Sequence, residues 1–158
     1  MGLSPILGRG PVAVDTAVFI YLIEEHPAHL RAARALFEAA SQGDLQIVTS
    51  ALTLLEVLVV PYRRGDDALA SDYEAILTNS RAVRLIEIDR LQLRTAAQLR
   101  AAYGPRTPDA LQLAAALTMR CTALVTNDRR YPPIPEPADR PAARPSLVSI
   151  DHISHPLP

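Results

Sequence analysis

Short aliphatic runs alternating with helical stretches constrain this 158-residue chain more than any other feature. Val12-Ala13-Val14, Gln46 to Thr49, Val83 to Ile88 and Ala123-Leu124-Val125 are strand-length and rich in branched residues. Helical patterns separate them: Thr16 to Glu24, Ala28 to Ser41, Ala51 to about Tyr62 after Ser50 as N-cap, and Asp66 to Asn79. Asp89 can cap a further helix running to Tyr103, which Gly104-Pro105 ends. Thr107 then serves as N-cap, with Pro108 at the first position, for a helix through Arg120. Strands of this kind, buried on both faces, predict an α/β fold with a mostly parallel central sheet of four or five strands flanked by helices. One domain over residues 1–158 is expected, with its core at about 12–131, a Pro-rich irregular segment at 132–145, and an edge strand at 147–150.

In such sheets, sites form beyond the carboxyl ends of the strands. Most acidic residues lie in polar surroundings and read as solvated faces, but four do not. Asp15 ends the first strand, where a turn or a helix cap is the plain alternative. Asp128 follows the strand Leu124-Val125 within Thr126-Asn127-Asp128, which alone reads mainly as a turn. Glu56 interrupts Leu54-Leu55-Glu56-Val57-Leu58-Val59-Val60 and has no basic helical neighbour three or four residues away. A buried, unpaired carboxylate is costly, so Glu56 needs a metal, water access or an ion pair with a distant arginine. Asp109 sits in the first turn of its helix, where the macrodipole already favours an anion. The rest of that helix, Ala110 to Leu117, is strongly apolar and therefore central.

Taken together, the four acids form a coherent site at one sheet edge. Clustered carboxylates cannot all ionise without compensation, and all-oxygen ligation suits Mg²⁺ or Mn²⁺. No His or Cys accompanies them: His26, His29, His152 and His155 lie in loops or the tail and read as surface residues. Cys121 precedes a strand and reads as a packed thiol.

Charge narrows the function classes further. All 16 basic residues are arginines, and the net charge is -1. Without lysine, P-loop phosphate binding and Schiff-base catalysis are excluded. The glycines of Gly8-Arg9-Gly10 precede the first strand, so they do not make a dinucleotide fingerprint. The opening residues lack a signal-peptide apolar run and no stretch approaches a membrane span, so a cytoplasmic protein is expected.

Four segments carry a family resemblance. Val12-Ala13-Val14-Asp15-Thr16, Thr49-Ser50-Ala51-Leu52-Thr53-Leu54-Leu55-Glu56, Thr107-Pro108-Asp109-Ala110 and Leu124-Val125-Thr126-Asn127-Asp128 resemble, in order, the motifs of PIN-domain ribonucleases, especially toxins of bacterial toxin–antitoxin pairs. Tyr131 stands where that family usually has Phe. The resemblance covers about Val12 to Tyr131. It implies a single PIN-like domain and a metal site built from Asp15, Glu56, Asp109 and Asp128, with Thr126 orienting water or a carboxylate. It also implies Mg²⁺- or Mn²⁺-dependent cleavage of RNA to a 5′-phosphate and a 3′-hydroxyl, and a homodimer. A small antitoxin is expected to insert a basic side chain into the acidic pocket, docking on apolar helices around Leu22 and Val57 to Val60. Arg63, Arg64, Arg129 and Arg130 are candidates for guiding the RNA backbone, or simply solubilising charge. Two other readings remain: a small-molecule phosphohydrolase using Asp15 as nucleophile, and a non-catalytic interaction module with structural acids.

Overall fold

A computed structural model describes residues 2–132 and 145–154. Strands β1 (Val12–Val14), β2 (Ile47–Ser50), β3 (Val83–Ile86), β4 (Ala123–Thr126) and β5 (Ser146–Ser149) make one sheet in the order β3-β2-β1-β4-β5. Every pairing is parallel, so the expected mostly parallel sheet is wholly so. The expected edge strand is β5, displaced by one residue; the expected Pro-rich segment lies almost entirely outside the described residues.

Alternation along the strands divides the core in two. Val12, Val14, Ile47, Ala123 and Val125 face one way, toward α2 (Thr16–Ile23), α3 (Leu30–Ser41), α4 (Leu52–Arg64) and α5 (Asp67–Glu74). Ala13, Val48 and Leu124 face α6 (Arg90–Tyr103) and α7 (Thr107–Thr118) on the other side. Phe19 and Phe37 meet edge to face at 5.3 Å in the first core, while alanines and leucines fill the second. Burial on both sheet faces explains why the central strands read as continuous apolar runs.

Several boundaries differ from the sequence expectation. Residues Asp66 to Asn79 do not form one α-helix: after α5 the chain widens into a π-helical turn over Ala75–Asn79, where the Thr78 hydroxyl donates to the Glu74 carbonyl at 2.6 Å. Strand β2 runs through Ser50, and α4 starts two residues later, although the Ser50 hydroxyl still accepts from the Leu52 N–H at 3.2 Å. Arg106, in extended conformation, is the cap residue of α7, so Thr107 and Pro108 occupy its first two positions and Asp109 the third. Two short helices, α1 (Ser4–Leu7) and α8 (Ile150–Ser154), are too brief to show as periodicity.

The cleanest capping readings hold. Asp89 accepts from the Gln92 N–H at 2.9 Å, and Gly104 ends α6 in the left-handed region at φ 72°.

Candidate acidic active site

Strand order reverses between β1 and β4, which are adjacent at the centre of the sheet, and this switch point is where a crevice opens in doubly wound folds. Asp15 immediately follows β1 and caps α2. Its Oδ1 accepts from the Thr16 N–H at 2.8 Å, and its Oδ2 accepts from the Thr126 hydroxyl, at the end of β4, at 2.9 Å. Thr126 is thus fixed between two acids, because its Oγ also accepts from the Asp128 N–H at 2.9 Å.

Glu56 enters from α4, and the Thr16 hydroxyl donates to its Oε1 at 2.9 Å. Asp109 enters from the first turn of α7 and is only 6% exposed. Burial raises the Asp15 carboxyl above its ordinary value despite the Thr126 and Thr16 donors, and the Asp109 charge raises it further. Glu56 is raised chiefly by burial as well, then by the charges of Asp15 and Asp109. These three acids therefore share one field.

Asp128 sits apart at the rim. Arg130 grips it with Nε at 2.9 Å from Oδ1 and a terminal nitrogen at 2.7 Å from Oδ2, holding the carboxyl below its ordinary value. Arg130, a candidate for guiding RNA or for solubilising charge, is thus engaged by the neighbouring acid. Arg63, Arg64 and Arg129 are exposed, and among the described residues none has a carboxylate within ion-pair distance.

Three participants escaped the sequence reading. Arg106 bridges the cluster, with Nε donating to Asp109 Oδ2 at 3.0 Å and a terminal nitrogen to Asp128 Oδ2 at 3.2 Å. Its separation of three residues from Asp109 was the available signal. Gln112 lies one helical turn beyond Asp109, fully buried. Its Nε2 donates to Thr53 Oγ at 2.8 Å, and its Oε1 accepts from the Ser50 N–H at 3.1 Å. Thr53 also lies 3.2 Å from the Thr16 hydroxyl and 2.7 Å from that of Thr49, which donates to the Val14 carbonyl. This buried network ties β1, β2, α2, α4 and α7 together beneath the acids, so it fixes where their carboxylates start. A polar Gln in the run Ala110 to Leu117, and Thr53 one turn before Glu56, were the sequence clues. The third is Tyr131, singled out in the sequence only as standing where PIN domains usually have Phe and here buried beside Asp15.

Two other expectations need correction. Helix α4 is not apolar and buried all round: Leu55, Val59, Val60 and Tyr62 are exposed, whereas Val57 and Leu58 are core. Glu56 is accordingly half-buried, and among the described residues no arginine pairs with it. His26 and His29 are half-buried rather than surface residues; their rings stack at 4.8 Å and each lies against Tyr21. His29 Nδ1 lies 3.3 Å from Asp151 without the alignment of a hydrogen bond, His152 is exposed, and His155 falls outside the described residues. Cys121 is buried, its thiol pushed up to about 12 by burial, as a packed and unreactive sulfur should be.

The acids offer a hard cation the right kind of donor, but not yet the right spacing. Among the described residues, no group of three or more acidic, His or Cys side chains is close enough to hold one ion. Arg106 instead supplies the counter-charge to Asp109 and Asp128.

Among solved structures, three likenesses bear on the fold. A toxin–antitoxin complex from Klebsiella pneumoniae is 22% identical with a TM-score of 0.60, covering 88% of this chain and 97% of that one. VapBC2 from Rickettsia felis, bound to a DNA fragment from its promoter, is 16% identical with a TM-score of 0.63, covering 87% and 97%. VapC20 of Mycobacterium tuberculosis, a sarcin–ricin-loop-cleaving toxin, is 19% identical with a TM-score of 0.61, covering 76% and 92%. No curated protein matches. At these identities the structural likeness is one of fold. The family model described as PIN domain, however, matches residues 12–136, the span that carries all four acids, Gln112 and Tyr131. The chain therefore belongs to the PIN domain family.

Proposed function

We propose that this chain is a Mg²⁺- or Mn²⁺-dependent endoribonuclease and the toxin of a toxin–antitoxin pair. The observation that carries the reading is the trio Asp15, Glu56 and Asp109, set at the switch point on a buried hydrogen-bond network, with two of the three raised by burial and by their neighbours' charge. A protein keeps such a mutually repelling set where a cation resolves it. Asp15, Glu56 and Asp109 would hold the ion, with Asp128 joining from the rim once Arg130 and Arg106 yield.

A bound divalent ion would polarise the phosphodiester and lower the pKa of an attacking water. The chain's own residues do the rest. Thr126 and the Thr16 N–H keep both Asp15 oxygens oriented, and the Thr16 hydroxyl aims Glu56. Arg106, half-exposed at the mouth, is placed to take a phosphate oxygen when Asp109 turns to the ion. Arg63, Arg64 and Arg129 are available to guide the backbone.

The partner reading follows from the same pocket. An antitoxin would supply a cation to the acids and cover the exposed α4 stripe of Leu55, Val59 and Tyr62, which neighbours Glu56; of the expected docking residues Val57 to Val60, Val59 and Val60 are exposed while Val57 and Leu58 are core. We further propose self-association as a homodimer and a cytoplasmic location; no helix among the described residues is long and apolar enough to cross a membrane.

One observation favours a second reading, a non-catalytic module: Arg106 and Arg130 already neutralise Asp109 and Asp128. Incubating the chain with a mixed RNA pool and Mn²⁺, then with chelator, separates the two. Chelator-sensitive cleavage supports the nuclease; intact RNA in both arms leaves the module.

A further inference from the structure

Strands β4 and β5 pair in parallel, with Thr126 opposite Ser149, so both chains leave the sheet at the same end. One continues into Asn127-Asp128-Arg129 and the other into α8, and a cleft of about 290 Å³ opens between them. It borders the acidic centre, because Thr126 and Asp128 line it as well. The volume lies at the small end of the range for ligand pockets, about 300–1,000 Å³, and suits one flat ring system. Leu147, 41% exposed on the edge strand, gives it an aliphatic wall for a ring face.

Two charged residues of the lining are not engaged by one another. Arg106 and Arg130 hold Asp128, so Arg129 is left with no carboxylate within ion-pair distance among the described residues. Asp151 is exposed and likewise has no arginine within that distance; it accepts only a long bond from the Ser149 hydroxyl at 3.4 Å and has His29 Nδ1 at 3.3 Å. The arginine offers a fork of N–H donors, and the carboxylate offers acceptors alone. A ligand that engages both must carry paired acceptors on one edge and paired donors on the next. Guanine does so: its O6 and N7 accept an arginine fork, while N1–H and the N2 amino group donate to a carboxylate. Adenine, cytosine and uracil each match at most one of these contacts with two bonds.

We propose that this cleft is a guanine-binding subsite, in which Arg129 and Asp151 determine which RNA is taken by seating one base beside the acidic centre. The proposal rests on the RNA substrate of the reading above and needs no bound ion. Proteins read single-stranded RNA in this manner, by splaying a base out and bonding its edges.

The test measures binding of short labelled uridine strands that carry a single central guanosine, adenosine, cytidine or no replacement. Fluorescence anisotropy is read in chelator, where a metal-dependent cut is blocked, for wild type, Arg129→Gln and Asp151→Asn, each matched for fold by circular dichroism. Wild type should bind the guanosine strand about tenfold more tightly than the all-uridine strand, and both variants should lose that preference. The ratio is the readout, because changing a charge shifts the affinity for every strand alike. Equal affinity of wild type for all the strands, or a preference for another base, would overturn the subsite and leave the nuclease reading standing. A guanosine preference that survives in either variant would overturn the assignment to this pair of residues. Failure of wild type to bind any strand would overturn the subsite and the nuclease reading together.

Discussion

Replacing Arg106 by glutamine removes the one guanidinium within ion-pair distance of Asp109 among the described residues, at 3.0 Å. The Asp109 side chain is 8% exposed and Arg106 53% exposed, so the pair is neither buried nor fully solvated. Breaking a buried pair costs about 3–5 kcal/mol and an exposed one about 0–1 kcal/mol; the mixed burial here gives about 2 kcal/mol. At this chain length that is a fall of roughly 4–8 °C in Tm. The metal response should move the opposite way. In wild type an incoming ion must displace Arg106, whereas in Arg106→Gln it meets uncompensated carboxylates. Saturating Mn²⁺, which at 100 times its dissociation constant adds about 2.7 kcal/mol to any folded state that binds it, should therefore stabilise the variant more than the parent at equal concentration. Urea unfolding in chelator and in Mn²⁺ gives all four stabilities. A variant as stable as wild type in chelator, with the same Mn²⁺ gain, would refute the claim that Arg106 stands in for the ion.

Glu56→Gln should relieve repulsion, raising metal-free stability while shrinking the Mn²⁺ gain, read in the same unfolding experiment. A loss of about 3–5 kcal/mol would instead indicate a broken buried ion pair. The pH dependence has a definite sign. Asp15 and Glu56 have folded values raised above their ordinary 3.8 and 4.5, so their contribution favours folding below those values and is lost as pH rises through the raised ones. Asp128, which is lowered, contributes above 3.8 and loses that contribution in acid. Metal-free stability profiles of Asp15→Asn and of Asp128→Asn should thus depart from wild type in opposite senses across the carboxylate range. Parallel profiles would contradict the assignment.

The sheet was legible because each central strand is buried on both faces and announces itself as an aliphatic run ended by a polar residue, as in Val14-Asp15 and Val125-Thr126. Asp15, Glu56 and Asp109 were legible for the same reason, as charges set into apolar surroundings. What surrounds them was not. Arg106 lies in a loop that reads only as a helix start, and its reach to Asp128 depends on α7 beginning beside the end of β4. Gln112 looked like part of an apolar helix because its partners, Thr53 and Ser50, come from other elements. Periodicity gave α4 as apolar but could not say which apolar residues would find a neighbour, so Val57 and Val59 looked alike until the fold buried one and exposed the other. Arg130 looked free because a side chain that turns back two residues onto Asp128 leaves no trace in composition.

The central claim is that Asp109 and its neighbours form a metal-dependent nuclease centre, and one comparison reaches it directly. Wild type and Asp109→Asn, matched for fold by circular dichroism, are incubated with the same RNA pool in Mn²⁺, and the new termini are counted. The account predicts cleavage by wild type that chelator abolishes, and none by the variant, which keeps the volume of the side chain but loses its charge. Equal Mn²⁺-dependent cleavage by both proteins would contradict it.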